Sequence, residues 1–455
     1  MAKKSLKNKT FSSKIGLIAA TVGSAVGLGN IWRFPAETQE NGGAAFLILY
    51  IACVFILGIP VMLSEFSIGR AGGSDAVGCL KNLGARRGWW SVGGLAVLAS
   101  YLILCFYMVV AGWTLEYLWQ SVTGELYDGI GSDMKAVFAT RMKEYITTTW
   151  EPLWATFLMI AINIAVLLGG VQKGIERLSN ILMPLLFVLL AIFCVQSLTL
   201  PKAAEGVRYF LHPDWSAVTS RTVLNALGQA FFSLSLGMGI LVTYASYFPR
   251  ETRLTKTAMT VSILDLLVAV MMGIIIFPAV MSFGLQNEGI EGATLVFVTL
   301  PEVFMQMPGT RIWSILFFLL LGVAALTSTI SIAEVSVAFI RDRFGMSRVK
   351  AVLVVMLPLL VFSSVCSLSQ GALSHVTIFG NNIFSFLDTL ATNMMLPLVS
   401  LGMCLWIGWF APKGLLSGQL SNHGTLHTWL IRPVRFIIRY IAPVLILIVF
   451  ICAFL

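Results

Sequence analysis

The chain has 455 residues, 58% of them hydrophobic and 11% charged, with a net charge of +9 and a mean hydropathy of +0.88. Soluble domains run at roughly 45–50% apolar and 25% charged residues, so a soluble enzyme or binding module is excluded and an integral membrane protein is indicated. The apolar runs are continuous rather than alternating, which selects helices over a β-barrel.

In chain order the runs predict eleven spans, at 15–37, 43–69, 89–122, 153–170, 177–199, 223–249, 255–284, 312–341, 349–368, 381–411 and 433–455. Each is long enough for a hydrocarbon core of about 30 Å at about 1.5 Å per residue. No low-complexity linker divides them, so residues 1–455 form a single transmembrane domain. Basic residues cluster before span one (Lys3, Lys4, Lys7, Lys9, Lys14) and after span two (Arg70, Lys81, Arg86, Arg87). The later even-numbered connections agree, with Lys173 and Arg177, then Arg250, Arg253 and Lys256, then Arg341, Arg343, Arg348 and Lys350, then Lys413, Arg432, Arg435 and Arg439. The positive-inside rule then puts the N-terminus in the cytoplasm and the C-terminus outside, in the cytoplasmic membrane. The positive charge is thereby a topology signal and not an affinity for nucleic acid. The lysine-rich start mimics a signal peptide, but its apolar run is too long and ten spans follow, so it stays as span one.

The seven cysteines lie mostly inside spans without a C-x-x-C pair and read as packing residues. All four histidines fall in connections, and the His423/His427 pair has no third ligand nearby for a metal. No H-E-x-x-H or G-x-S-x-G motif supports an intramembrane enzyme. The longest outer connections are 123–152 and 285–311, and the second is apolar enough to fold back as a lid.

Span one holds Ser24 and Gly27-Leu28-Gly29, and span six holds Ser233, Ser235 and Gly237-Met238-Gly239. Close packing through small residues would account for Gly23 and Gly27 alone. Recurrence five spans later points instead to an inverted repeat, 15–199 and 223–411, with 433–455 as an additional helix. Matching glycine-interrupted helices place a transporter's binding site near the bilayer midplane. An unwound turn frees N–H and C=O groups that lipid cannot satisfy, so it persists where it lines a cavity or holds a ligand. Its amides favour an anion and its carbonyls a cation.

The stretches "GSAVGLGNIWRFP" and "NGGAAF", then "GQAFFSLSLGMG", "TYASY" and "LTSTIS", resemble the neurotransmitter:sodium symporter family in order and position across nearly the whole chain. The resemblance implies a leucine-transporter-like fold: all-α, integral to the membrane, with about 11 transmembrane helices in an inverted 5+5 arrangement and discontinuous helices 1 and 6. It also implies alternating-access symport of a small L-amino acid with two sodium ions. One sodium site would use the Ala25 carbonyl, Asn30, Ser233, Asp265 and the substrate carboxylate. The other would use the carbonyls of Gly23, Val26 and Ala324 with the hydroxyls of Thr327 and Ser328. Positions 324, 327 and 328 share one helix face. The substrate carboxylate would meet the Leu28 and Gly29 amides and the Tyr107 hydroxyl. Its ammonium would meet carbonyls of Ala25, Phe232 and Ser235, and its side chain would lie among Ile103, Phe232, Met238, Ser328 and Ile332.

The resemblance further implies an outer gate of Arg33 and Asp388, bridged when the vestibule closes, above Phe232. It implies an inner gate at Asp342, whose usual arginine partner is replaced here by Asn8, with Lys7 and Lys9 adjacent. Phe11 replaces a tryptophan, and Glu65 would bond freed backbone in the broken helices. Gly27, where amine-transporting members carry aspartate, favours a whole amino acid as substrate. Met238 is a flexible filler and favours hydrophobic and aromatic side chains. Asp265 stands where chloride-dependent members have asparagine beside a chloride, at positions matching Tyr50, Gln229, Ser233 and Ala269 here; its own charge implies chloride independence. Gly174 and Pro184 match a helix-five segment that unwinds in some members. The alternative is an uncoupled facilitator or channel on the same scaffold.

Overall fold

The computed structural model describes residues 10–86, 88–130, 134–285, 292–426 and 429–452. Lys3, Lys4, Lys7, Asn8, Lys9, Arg87 and His427, which the sequence reading used, lie outside the described residues. Helix α1 (Lys14–Ala25) opens at an N-cap, Ser13, whose hydroxyl accepts from the Gly16 amide, and it stops where Val26 turns extended. Helix α2 (Gly29–Glu40) resumes at 54° to it, so the first span is broken in the middle.

Then follow α3 (Ala44–Gly72), a short α4 (Ala76–Asn82) capped by Asp75, α5 (Trp90–Thr123), α6 (Met134–Thr147) at the opposite end of the bundle, α7 (Trp150–Leu168) and α8 (Val171–Leu198). Helix α8 is unbroken from Val171 through Pro184, and its first turn is π-helical. A short α9 (Ala203–Leu211) leads to the second interrupted span, α10 (Ser220–Ser233) and α11 (Ile240–Ser246). The remainder is α12 (Leu254–Ser282), α13 (Gly292–Met305), α14 (Thr310–Phe344), α15 (Arg348–Leu368), a two-residue hairpin β1 (Thr377–Ile378) and β2 (Asn381–Asn382), α16 (Ile383–Phe410), α17 (Leu415–Leu420) and α18 (Ile431–Cys452).

Among the described residues nine helices are long and apolar enough to cross a bilayer, and the bent pair α1/α2 makes a tenth. Helices α10 and α11 are individually too short to cross, and Leu234–Gly239 separates them. Helices α5, α12 and α14 are the most enclosed, whereas α18 shows most of its surface to lipid. Exposed tryptophans ring both ends of the bundle: Trp119, Trp150, Trp154 and Trp215 at one, Trp90, Trp409 and Trp429 at the other. Aromatic belts of this kind mark the two membrane–water interfaces.

The connection before α14 does fold back. Leu295, Val296, Phe297, Leu300 and Phe304 of α13 are buried, and Phe297 packs edge-on against Tyr117 and Trp113, with ring centroids 4.8 and 5.9 Å apart.

Helices α5 and α7 meet so closely at Gly112 that a Cβ there would stand 2.7 Å from the Thr156 backbone nitrogen, whereas Gly94 of the same helix faces open space. Gly112→Ala is therefore expected to destabilise the detergent-solubilised protein by about 1–3 kcal/mol, and Gly94→Ala to leave it unchanged or slightly more stable. Thermal unfolding of the two variants side by side checks this.

Candidate functional site

The two helix breaks face each other at mid-bundle. In the second, Ser235 has φ +54°, Gly237 +78° and Gly239 +72°. Glycine adopts such left-handed backbone freely, and a serine there needs local compensation. Ser235 has it, since its hydroxyl donates to the Ser24 carbonyl in the first break at 2.7 Å. Other freed groups are likewise bonded from neighbouring helices. Glu65 of α3 accepts from the Gly237 amide (2.8 Å), Ser100 of α5 donates to the Met238 carbonyl, and Gln229 donates to the Gly29 carbonyl (3.2 Å).

One buried cavity lies between the breaks. It is lined by Ser24, Ala25, Gly27, Leu28, Gly29, Asn30, Ile103, Tyr107, Phe232, Ser233, Ser235, Met238, Ser328 and Ile332. Every residue expected around the substrate is in that set, and Ser24, Gly27 and Asn30 join it. The Tyr107 hydroxyl accepts from the Leu28 amide at 3.2 Å, so the groups expected at a carboxylate already converge. A Cβ at Gly27 would stand 2.7 Å from the Ser328 hydroxyl and 3.1 Å from that of Tyr107, which leaves no room for a side chain there.

Beside the cavity, Asp265 of α12 is completely buried. Its carboxylate receives the Ser233 hydroxyl (2.6 Å), the Asn30 amide (2.9 Å) and the Tyr50 hydroxyl (3.2 Å). The Asn30 Oδ1 points the other way, toward the Gly27 amide at 3.4 Å. Three neutral donors and no lysine, arginine or histidine attend this acid among the described residues. At the second set of oxygens, the Ser328 hydroxyl is 3.4 Å from the Val26 carbonyl, and Thr327 bonds back to Val323 and Ala324 at 3.1 and 3.0 Å. A methyl at Gly23 would come within 3.2 Å of Thr327 Cβ, so α1 and α14 touch here. Carbonyls and hydroxyls are the donor set of a hard cation, and no cluster of three or more His, Cys, Asp or Glu exists among the described residues to suit a softer metal.

Outward of the cavity, the Arg33 guanidinium lies over the Phe232 ring at 5.3 Å and pairs with Glu37 at 3.6 Å. It is not bridged to Asp388, whose carboxylate receives Thr392 at 3.4 Å. A vestibule of about 620 Å³ lies above, reaching Arg33, Arg221, Asn225, Phe232 and Thr392.

At the end of the bundle opposite the vestibule Asp342 pairs with Arg341 at 2.9 Å and accepts from Ser74 at 3.4 Å. Burial raises the nearby Asp75 carboxyl above the ordinary aspartate value, and Asp342 adds to the rise. Phe11 is buried against Tyr244, Tyr247 and Phe248. The sequence reading passed over one ion pair here: fully buried Glu334 with Arg348, 2.6 Å apart, the Tyr247 hydroxyl also donating to Glu334 at 2.8 Å. The signal was an acid inside span eight, since intramembrane charges are functional candidates by default.

The family model described as sodium:neurotransmitter symporter matches residues 8–130 and 134–455. The chain belongs to that family. It is 36% identical over 97% of its length to the uncharacterized sodium-dependent transporter YhdH of Bacillus subtilis, covering 96% of that protein. It is 33% identical to an uncharacterized sodium-dependent transporter of Haemophilus influenzae, over 98% of both chains. The crystal structure of MhsT in complex with L-phenylalanine superposes with a TM-score of 0.88 at 42% identity, over 98% of this chain and 99% of that one. This symporter-family member is thus a sodium-dependent, multi-pass membrane transporter of leucine-transporter-like fold, and not an enzyme.

In such a transporter, loss of one donor from the Asp265 cluster should show in sodium affinity. Ser233→Ala is expected to raise the sodium concentration for half-maximal activity by roughly tenfold, the scale of one hydrogen bond to a charged group. Sodium titration of the purified variant checks it.

Proposed function

We propose that this transporter is a symporter of hydrophobic and aromatic L-amino acids, coupled to two sodium ions, working by alternating access without a chloride requirement. It acts in the cytoplasmic membrane with its N-terminus inside and its C-terminus outside. The observation that carries the reading is Asp265, a fully buried carboxylate that receives only neutral donors, two of them from Asn30 and Ser233, which line the cavity between the two helix breaks. A carboxylate within the bilayer needs a cation or a proton, and a zwitterionic amino acid needs both kinds of backbone pole.

In this reading Leu28, Gly29 and Tyr107 hold the substrate carboxylate and the carbonyls of Ala25, Phe232 and Ser235 its ammonium. Ile103, Phe232, Met238, Ser328 and Ile332 enclose the side chain. The first sodium sits among Ala25, Asn30, Ser233 and Asp265, sharing the substrate carboxylate. The second sits among Gly23, Val26, Ala324, Thr327 and Ser328. Arg33 with Asp388, and Asp342 on the cytoplasmic side, gate the two faces. Similarity to a protein crystallised with L-phenylalanine supports the substrate class. The first repeat is 15–199 and its inverted partner 223–411. Each sodium ion entering gains about 2.3 kcal/mol per 100 mV, so two suffice to concentrate substrate strongly.

Reconstituted into proteoliposomes, the protein is expected to accumulate labelled phenylalanine from sodium medium and not from choline medium. Uptake indifferent to that exchange would make it an uncoupled facilitator or channel. Replacing chloride by gluconate should leave the rate unchanged in the native protein. Asp265→Asn, which removes the fixed charge, should cut uptake by roughly tenfold or more, as expected for losing a buried charged partner, and make what remains depend on chloride. A native protein that stops in gluconate contradicts the chloride assignment.

A further inference from the structure

The start of α1 is held from a distant part of the chain by one side chain. Glu176 closes the π-helical turn Val171–Glu176 that opens α8 and is 2% exposed. Its Oε2 accepts the Ser12 amide at 2.8 Å. Its Oε1 accepts the Ser12 hydroxyl (2.8 Å), the Ser13 amide (3.0 Å) and the Ser13 hydroxyl (2.9 Å). Four donors on one carboxylate, across 163 residues of sequence, are more than the N-cap of a helix requires. Helix α1 has no acid in its own first turn, where a local glutamate normally closes a capping box. Glu176 supplies that acid from another helix.

The surroundings are shaped to it. A Cβ on Gly16 would run into the Glu176 side chain, so this glycine makes room for the carboxylate. Gln172, from the same turn, donates to the Thr10 carbonyl at 2.7 Å. Between them the Phe11 amide donates to the Tyr247 carbonyl at 3.1 Å. Residues 10–13 are therefore strung between the start of α8 and the end of α11.

We propose that Glu176 is the latch of the cytoplasmic side, a positioning residue whose carboxylate keeps the inner half of the first broken helix against α8, so that α1 swings free only when all its bonds to Ser12 and Ser13 break together. The proposal rests on the alternating-access reading for its role and on the geometry alone for its existence. Because α1 ends at the carbonyls of Ala25 and Val26, releasing its start loosens the sodium-facing end of the same rigid segment.

Hydrogen exchange of the full-length protein in lipid nanodiscs, followed by mass spectrometry over residues 10–25, tests it. Glu176→Ala is expected to speed exchange there by roughly tenfold or more, from the loss of several hydrogen bonds to a charged group. Ser12→Ala, which removes one donor and spares the cap, gives a smaller acceleration. The double variant exchanges no faster than Glu176→Ala, because both changes break the same unit. Gly16→Ala, which displaces the carboxylate without deleting it, reproduces the Glu176→Ala pattern and keeps the test open if that variant fails to fold. In uptake, Glu176→Ala raises the sodium concentration for half-maximal rate, as a shift toward the open-inward form demands.

Unchanged exchange at 10–25 in folded Glu176→Ala and Gly16→Ala, or fully additive effects of Glu176→Ala and Ser12→Ala, overturns the latch. Absence of sodium-driven uptake by the native protein overturns the transport reading instead, and the exchange result still decides the latch.

Discussion

Everything at the centre of this molecule follows from peptide groups that cannot be left unbonded inside a bilayer. Two of its spans stop being helical halfway across, at Val26–Gly27 and at Leu234–Gly239, and each unmet N–H or C=O would cost several kcal/mol in hydrocarbon. The protein meets part of that demand itself: Glu65, Ser100, Gln229 and Tyr107 reach in from neighbouring helices, and Ser235 ties one break to the other. What remains is a cavity lined by residues of both breaks together with Ile103, Tyr107, Ser328 and Ile332.

The buried acids separate into two kinds on that background. Glu334 is neutralised by Arg348 of the next helix, at 2.6 Å, and also accepts from the Tyr247 hydroxyl. Asp265 has three neutral donors, and Glu65 and Glu176 likewise accept only from amides and hydroxyls. A paired acid is complete in itself, whereas one held only by hydroxyls and an amide still calls for positive charge. Of these acids Asp265 is the one bonded to two residues that line the mid-bundle cavity, Asn30 and Ser233, and this supports the proposed sodium site. The same arrangement places the protein's own carboxylate where the hydroxyls of Tyr50 and Ser233 point, which is the physical content of the proposed indifference to chloride.

Most of the fold was legible in the sequence because a bilayer imposes length and polarity at once. Residues such as Leu254–Ser282 or Trp90–Thr123 fall within a few positions of the spans read from hydropathy. The break in span six was legible as well, since Gly237 and Gly239 repeat the glycines of span one. Span five starts at Val171 rather than 177 because its first turn is π-helical and holds Lys173 and Glu176, whose charges end a hydropathy run without ending the helix. The residues lining the cavity were found through motif resemblance, and the structure gathers them into one place. The Glu176 contacts and the Glu334–Arg348 pair were missed for a different reason. Each is a meeting of single side chains from different helices, Glu176 with Ser12 and Ser13 from the start of the chain and Glu334 with Arg348 from the next helix, and spacing does not name the partner.

The central claim is that the two breaks together form one site for an amino acid and sodium. A structure determined with sodium and a hydrophobic L-amino acid tests it most directly. The account predicts the ligand between the breaks, its carboxylate at about 2.7–3.2 Å from the Leu28 and Gly29 amides and a cation beside Asp265. A ligand held only in the outer vestibule near Arg33 and Arg221, with the mid-bundle cavity closed, would contradict it.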